Sequence, residues 1–406
     1  MNNGISSIYD RPVLEKLADV LAWALETSLG RGLEKGDPVL VRFDSPALPA
    51  AEALYSRLLD RGVHVSWRME PTPGMQRDFY RKSNMKQLMY VTPGDYELYS
   101  SLAGMIRIIA PEKLWHLADV DRDLIDRAGL ARKPLRLLCD KREGMGMYAW
   151  TLCGYPTRAL AEAVGADEEV YAESMARACM LNKADPVREW RDVLRRLSEL
   201  KDWLNAMPAE SFHVESDSID LVVPFGGRRR WQGLTGQNIP SYELYFSPDW
   251  RGVRGTFNSD LPSLRNGVVV RGARLKFEDG RVVDAEAETG MGVLVETLSS
   301  DPGASKVGEF SLTDSSISNV DSFMGMTMFD ENYGGAHGNC HIALGASYPS
   351  SYDGNPLELD EPAGRELGFN ASAIHWDLVN TEKKRVTVLL AGGEKRTIYE
   401  DGRFKY

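Results

Sequence analysis

Cysteine is scarce. Four thiols, at 139, 153, 179 and 340 of 406 residues, include no CxxC pair, which excludes a disulfide framework; they read as reduced. Long apolar runs are missing too, since none reaches the ~20 residues a bilayer span needs. The N-terminal stretch MNNGISSIYDRPVLEKLADVLAWALE has no basic segment followed by an apolar core. Neither a membrane protein nor an exported one is expected, and the cytoplasm is the simplest location. Positive charge is in deficit: 48 Lys and Arg against 59 Asp and Glu leave a net charge of −11. Such a surface repels nucleic acid and anionic membranes, so neither is an expected partner. No GxGxxG follows a strand pattern and no GxxxxGK[ST] occurs, so a nucleotide-binding reading lacks its phosphate cradle. HExxH and GxSxG are absent as well, which leaves zincin and α/β-hydrolase readings without support.

What remains is an ordinary globular composition, 43% hydrophobic and 26% charged, in a chain long enough for two domains. The first half alternates helix and strand signals. Leu14, Leu17, Leu21 and Leu25 recur at helical spacing before Gly30, and PVLVRF (38–43) reads as a strand. A helix to Gly62 and the strand VHVSWRM (63–69) follow. Then come an amphipathic stretch at 75–90, a strand MIRIIA (105–110), a helix near 112–128 and a strand LRLLC (135–139). Such alternation predicts a parallel sheet with crossover helices. Residues 155–206 read as mostly helical, and Pro208 ends the run. Beyond it FHVESDSIDLVVPF alternates like a strand, and GVVVRGARLKFEDGRVVDAEAET reads as two strands around an Asp-Gly turn. A domain boundary near 208–212 is expected. It would separate an α/β N-terminal domain (1–210) with a parallel-type sheet from an α+β, β-rich C-terminal domain (211–406).

Three of six histidines fall between 337 and 375, among FDENYGGAHGNCHIALG (329–345) and NASAIHWDLV (370–379). Clustered His, Glu and Asp are the donors of transition-metal sites. On a strand, His375 and Asp377 share a face. They read either as a pair of ligands or as a histidine held by a carboxylate. His341 alone reads as a core histidine, and Glu243 and Glu309 alone as strand glutamates. Arg228, Arg229 and Arg230 read as a solvated turn, with a clamp for a substrate carboxylate as the other reading. Cys340 reads as a packing residue.

Together these segments resemble the aminopeptidase T family of dinuclear metallo-aminopeptidases, which includes aminopeptidase S. The motifs run in order: Gly236-Gln237-Asn238-Ile239-Pro240 then Glu243; Gly308-Glu309; Phe329-Asp330-Glu331-Asn332; Cys340 to Gly345 then Tyr348; and Asn370, Ser372, His375 and Asp377. The resemblance implies a homodimeric, metal-dependent aminopeptidase that releases N-terminal residues from short peptides by a two-metal-activated water. It implies two divalent ions, with zinc, cobalt, manganese and magnesium all candidates. The matched ligand positions are Glu243, Glu309, Glu331, His341, His375 and Asp377, with Glu309 shared between the ions. Glu309 and Tyr348 match catalytic positions, Glu309 as proton acceptor and Tyr348 as oxyanion donor. In the family the DEN carboxylate and the CHIALG histidine stand closer together. Here YGGAHG (333–338) separates them, so Glu331 and His341 are ten apart. The insert either bulges harmlessly, displaces Glu331, or brings His337 into the site; glycine makes the first the expectation. Two other functions stay open: a catalytically silent relative that binds peptide or metal, and a two-metal hydrolase of non-peptide amides or esters.

Overall fold

The computed structural model describes residues 4–265 and 267–406. It contains two compact units. One runs to Arg188 and takes in Thr235–Ile239; the other comprises Glu189–Leu234 and Pro240–Tyr406.

The first unit is α/β. Its sheet holds β1 (Pro38–Phe43), β2 (His64–Met69), β3 (Gly104–Ile109), β4 (Ala149–Gly154) and β5 (Asn238–Ile239), all parallel, in the order β2-β1-β3-β4-β5. Parallel neighbours need crossovers, and helices supply them. The helix Arg11–Leu29 starts where Asp10 accepts from the Val13 amide, buries Leu14, Leu17, Leu21 and Leu25, and stops at Gly30, whose φ is 73°. One expectation fails here. Residues 135–139 are no strand; they lie inside the helix Arg122–Gly144, and the helix read at 112–128 begins only at Arg122. LRLLC has no β-branched residue, and leucine and arginine are strong helix formers, so a short apolar run was the weaker signal. The true next strand is Ala149–Gly154. Large exposed apolar side chains crowd this unit between Leu48 and Met147, with Trp67 and Met69 on the edge strand β2 among them.

Among the described residues the second unit holds two large antiparallel sheets, a larger and a smaller, and a two-stranded one, Ser263–Arg265 with Val268–Val270. Eight strands order as Arg281–Glu286, Ala273–Glu278, Arg254–Ser259, Asp220–Pro224, Ala209–Glu215, Arg385–Leu390, Lys395–Glu400 and Arg403–Phe404. The Asp-Gly turn is present, with Asp279 at φ 48° and Gly280 at φ 74°, the backbone a two-residue hairpin requires. FHVESDSIDLVVPF is a hairpin rather than one strand, because the Ser216 hydroxyl accepts from the Ser218 and Ile219 amides and turns the chain.

The smaller sheet holds β6 (Glu243–Phe246), β7 (Val307–Thr313), β8 (Asn339–Gly345) and β9 (His375–Asn380), ordered β9-β8-β7-β6. Every residue of β7 and β8 is buried, so both faces are covered. Alternation sorts the side chains. Leu244, Phe246, Phe310, Leu312, Ile342 and Leu378 take one face; Glu243, Glu309, Ser311, His341 and Asp377 take the other. The apolar face meets the larger sheet through an aromatic cluster. The Phe246 ring lies 4.6 Å from Trp231, 4.9 Å from Phe225, 5.2 Å from Phe212 and 5.7 Å from Phe310, centroid to centroid. Edge-to-face packing of this kind adds to the free energy of burial. Phe246→Ala is expected to destabilise this unit by about 3–5 kcal/mol. Denaturant unfolding followed by tryptophan fluorescence checks this; a change under ~1 kcal/mol would show that the cluster repacks around the gap.

Candidate metal centre

Each strand of the smaller sheet contributes to one polar patch. β6 opens with Glu243, β7 carries Glu309, β8 carries His341, and β9 carries His375 and Asp377. Register lines them up. Glu309 pairs with Ala343, which pairs with Asp377; in the next row Tyr245, Ser311, His341 and Val379 stand side by side. Ala343 and Ser311 are small, which leaves volume for the long side chains on either side. The β7–β8 pairing slips between Val307 and Glu309, a bulge centred on Gly308. A Cβ there would sit 2.3 Å from the Ala346 carbonyl oxygen and 2.4 Å from that of Gly345. Only glycine fits, and the bulge re-aims the residue that follows it.

The donors converge. His341 Nε2 is 3.1 Å from Glu309 Oε1, 3.4 Å from Glu243 Oε2 and 3.8 Å from Asp377 Oδ1. His375 Nε2 is 3.4 Å from Asp377 Oδ1 and 3.8 Å from Glu309 Oε2. Two three-residue groups result, Glu243–Glu309–His341 and Glu309–His375–Asp377, each with ligand atoms within 4.8 Å of one another. Glu309 belongs to both and turns one oxygen to each histidine. His375 donates from Nδ1 to the Ala346 carbonyl, 2.9 Å away, which leaves Nε2 as the nitrogen facing the carboxylates. Glu309 Oε2 and Asp377 Oδ1 are buried and receive no hydrogen bond. Buried carboxylate oxygens without donors are costly unless a cation meets them, and a set of carboxylates and imidazoles suits divalent zinc, cobalt, manganese or magnesium. The residues therefore fit a metal site.

Without metal, protons do the neutralising. Burial, and then Glu309, push the Glu243 carboxyl up to about 7 despite the pull of His341. Burial pushes Glu331 well above the usual carboxylate range, with Glu243, Asp377 and Glu309 adding repulsion. Burial works against protonated imidazoles, yet the hydrogen bond His341 donates to Glu309 and the charge of Glu243 hold His341 up at about 9. The charge of Asp377, 3.4 Å away, holds His375 up against burial, also at about 9. Burial would raise Asp377, but His375 and His341 outweigh it and keep its carboxyl below the usual value.

Glu331 lies in the same field of charge, although among the described residues it joins neither group. It follows the short helix Thr327–Asp330 and takes a 3.4 Å contact from the Asn332 side-chain amide. Tyr348 leaves β8 on a turn and sets its ring 4.6 Å from the His375 imidazole. Burial and the nearby Glu309, Asp377 and Glu331 charges raise its phenol far above the ordinary value. The insert at 333–338 folds toward the C-terminal strands. The Tyr399 hydroxyl donates to the Thr313 carbonyl at 2.8 Å, with the His337 carbonyl at 3.4 Å, and the His337 side chain is exposed. Ser311, whose hydroxyl donates to Glu243 Oε2 at 2.7 Å, is a supporting residue that sequence reasoning missed; its position two past Glu309 on a strand was the available signal. The arginine run needs correcting. Arg228 is exposed beside Asp353, but Arg229 is buried. It donates to the Ser247, Gly227 and Leu367 carbonyls at 2.8 Å each and stacks on Phe369. Three carbonyls and a ring replace water there, so the solvated-turn reading fails for it.

Comparison with known proteins settles the family. The sequence model of a family described as thermophilic metalloprotease (M29) matches residues 11–404. The chain belongs to the M29 metalloprotease family. It is thus a peptide hydrolase of a metal-dependent kind. This M29 member is 30% identical over 410 residues to Aminopeptidase 2 of Geobacillus stearothermophilus, across 94% of this chain and 96% of that one. It is 26% identical to Aminopeptidase PepS of Streptococcus thermophilus, across 84% and 83%. The solved structure of wild-type AmpT from Thermus thermophilus matches with a TM-score of 0.79 at 23% identity, across 96% of this chain and 99% of that one; this shows a shared fold. Among the described residues, no helix is long and apolar enough to cross a membrane.

Metal ligation needs neutral imidazoles, and those of the metal-free site hold their protons up to about 9 rather than 6.5. Loading zinc at pH 7 is therefore expected to release protons. Apparent affinity should climb as pH rises toward about 9 and then level off. Calorimetry in buffers of different ionisation heat counts the protons; none released at pH 7 would contradict the ligand role of the histidines.

Proposed function

We propose that this chain is a two-metal aminopeptidase that releases N-terminal residues from short peptides, with its catalytic domain at 211–406. The observation that supports it most is the pair of three-residue donor groups joined by Glu309. Glu243 and His341 would serve one ion and His375 and Asp377 the other, with Glu309 shared and Glu331 a further ligand. Bound divalent ions supply Lewis acidity and lower the pKa of a water from ~15.7 toward neutrality.

The chain's own groups do the rest. Four carboxylates would offset the charge of two dications, and a neutral free α-amine would offer one of these ions a lone pair that a blocked or internal peptide lacks, which favours free N-termini. Glu309 Oε2, buried and without a donor, would accept the proton, a role its free lone pair supports. Tyr348 keeps its phenol protonated at every working pH, so its hydroxyl is available to donate to the oxyanion of the tetrahedral intermediate, a role worth about 3–4 kcal/mol in comparable sites. His375, fixed by the Ala346 carbonyl, keeps its ring from swinging toward substrate. We assign zinc, cobalt, manganese and magnesium as the ions to test, the cytoplasm as the location, and a homodimer as the assembly. The exposed apolar side chains between Leu48 and Met147 support that last assignment.

Chromogenic aminoacyl amides and short peptides test the reading. Release is expected with added Zn, Co, Mn or Mg, lost on chelation, and absent for N-acetylated peptides. Glu309→Gln should retain the melting temperature of a folded protein yet lose turnover by more than about a thousandfold. Equal release from acetylated and free peptides would mean that the amine is not read, and wild-type rates in Glu309→Gln would remove this residue from the chemistry.

His337 is exposed and the insert is fastened by Tyr399. His337→Ala is expected to keep metal content and turnover within about twofold of wild type, as surface substitutions do. A large fall in bound metal, read by elemental analysis, would show that the insert takes part in coordination.

A further inference from the structure

Tyr348 is 42% exposed and sits at the start of a short turn, Pro349–Ser351, outside any sheet. Its ring rests on His375 and Tyr245 with the remainder open to solvent, so its place depends also on what tethers the turn. The tethers come from the segment after the buried Arg229. Arg230 Nε donates to the Ser350 carbonyl at 3.1 Å, and the Gln232 side-chain amide donates to the same oxygen. A carbonyl has two lone pairs, and here both are used. The Arg230 backbone amide also donates to the Ser351 carbonyl at 2.9 Å. Gln232 is itself registered to β6, since its backbone amide donates to the Tyr245 carbonyl at 2.7 Å and its carbonyl accepts from the Tyr245 amide at 2.9 Å. The strand that begins with Glu243 thus carries the strap that holds the tyrosine turn.

A second set of contacts closes the loop from β6. The Tyr348 amide donates to the Ser247 hydroxyl at 2.8 Å, the Ser247 amide donates to the Ser351 hydroxyl at 3.0 Å, and the Tyr245 and Ser350 hydroxyls are 3.3 Å apart. The Tyr348 ring then lies 4.6 Å from His375 and 5.9 Å from Tyr245.

We propose that Arg230 and Gln232 are positioning residues that act through the Ser350 carbonyl to hold the Tyr348 hydroxyl over the donor cluster. This rests on the reading of Tyr348 as oxyanion donor. Arginine at 230 suits the task because its fork is rigid, whereas a lysine ammonium on a flexible stem fixes direction less well.

The test compares kcat and KM for an aminoacyl p-nitroanilide in the metal-loaded full chain. The variants are Arg230→Ala, Arg230→Lys, Gln232→Ala and Tyr348→Phe, with each of the first three also in the Tyr348→Phe background. Melting temperature and metal content are read alongside. Gln232→Ala and Arg230→Ala are each expected to lower kcat about ten- to a hundredfold with KM unchanged, since small misplacements cost that much. Arg230→Lys should recover part of the loss. In the Tyr348→Phe background none of the three should lower kcat further, because the group they position is already gone. Loss in Tyr348→Phe together with wild-type kcat in folded, metal-loaded Gln232→Ala and Arg230→Ala would overturn the positioning role and leave the tyrosine's intact, as would losses that add fully. Wild-type kcat in Tyr348→Phe would instead overturn the reading beneath the proposal, and the proposal with it. Should Arg230→Ala fail to fold, Gln232→Ala decides by the same criteria.

Discussion

The smaller sheet of the second unit holds like charges where little water reaches them. Glu243, Glu309, Glu331 and Asp377 are all buried and repel one another, and among the described residues His341 and His375 supply the opposing charge. Burying one uncompensated carboxylate is costly, and crowding several is worse. The protein holds this arrangement because the opposite face of the same strands is locked into aromatic packing with the larger sheet. Alternation makes the two faces inseparable: Glu243, Glu309, His341 and Asp377 each have an apolar side chain next along the strand, Leu244, Phe310, Ile342 and Leu378, that anchors them.

Support for the charged face is mostly neutral. Ser311 donates to Glu243. The Asn332 side chain accepts from the Tyr242 amide and donates to the Met328 carbonyl. The Asn370 side-chain amide donates to the Gly303 carbonyl at 2.8 Å and the Gly345 carbonyl at 2.6 Å, tying together the ends of three segments that lead into the site. Asp330 lies apart from this pattern. It is buried and accepts from the Met324 amide at 2.6 Å, yet burial still raises its carboxyl well above the ordinary range. Its work is to shape the loop that delivers Glu331.

Much of this was legible in the sequence, and the reasons are specific. Strands β7, β8 and β9 are short and bracketed by glycine, serine or asparagine, so their existence and their alternation could be read from residue order. That placed His375 and Asp377 on one face. Register could not be read, because it depends on which strand lies beside which; the row that sets Ala343 between Glu309 and Asp377 appears only in three dimensions. LRLLC misled because five apolar-rich residues carry too little periodicity to separate strand from helix. Arg229 misled for a different reason. Composition marks arginines as surface residues, and nothing in the residue order shows that three carbonyls and Phe369 will converge on one of them. The tethers of the Tyr348 turn were hidden likewise, since they run from 230 and 232 to 350, across more than a hundred residues.

Glu309 and Asp377 stand two strands apart, with Ala343 between them. Their backbones are therefore held at a width of two interstrand spacings, ~4.7–4.9 Å each. That width is a property of the hydrogen-bond ladder rather than of any side-chain rotamer, so the sheet works as a caliper. In the proposed two-metal site, ions of similar radius would exchange without disturbing its jaws, whereas a broader one would strain the ladder itself, so that cation size would become a quantity the backbone measures.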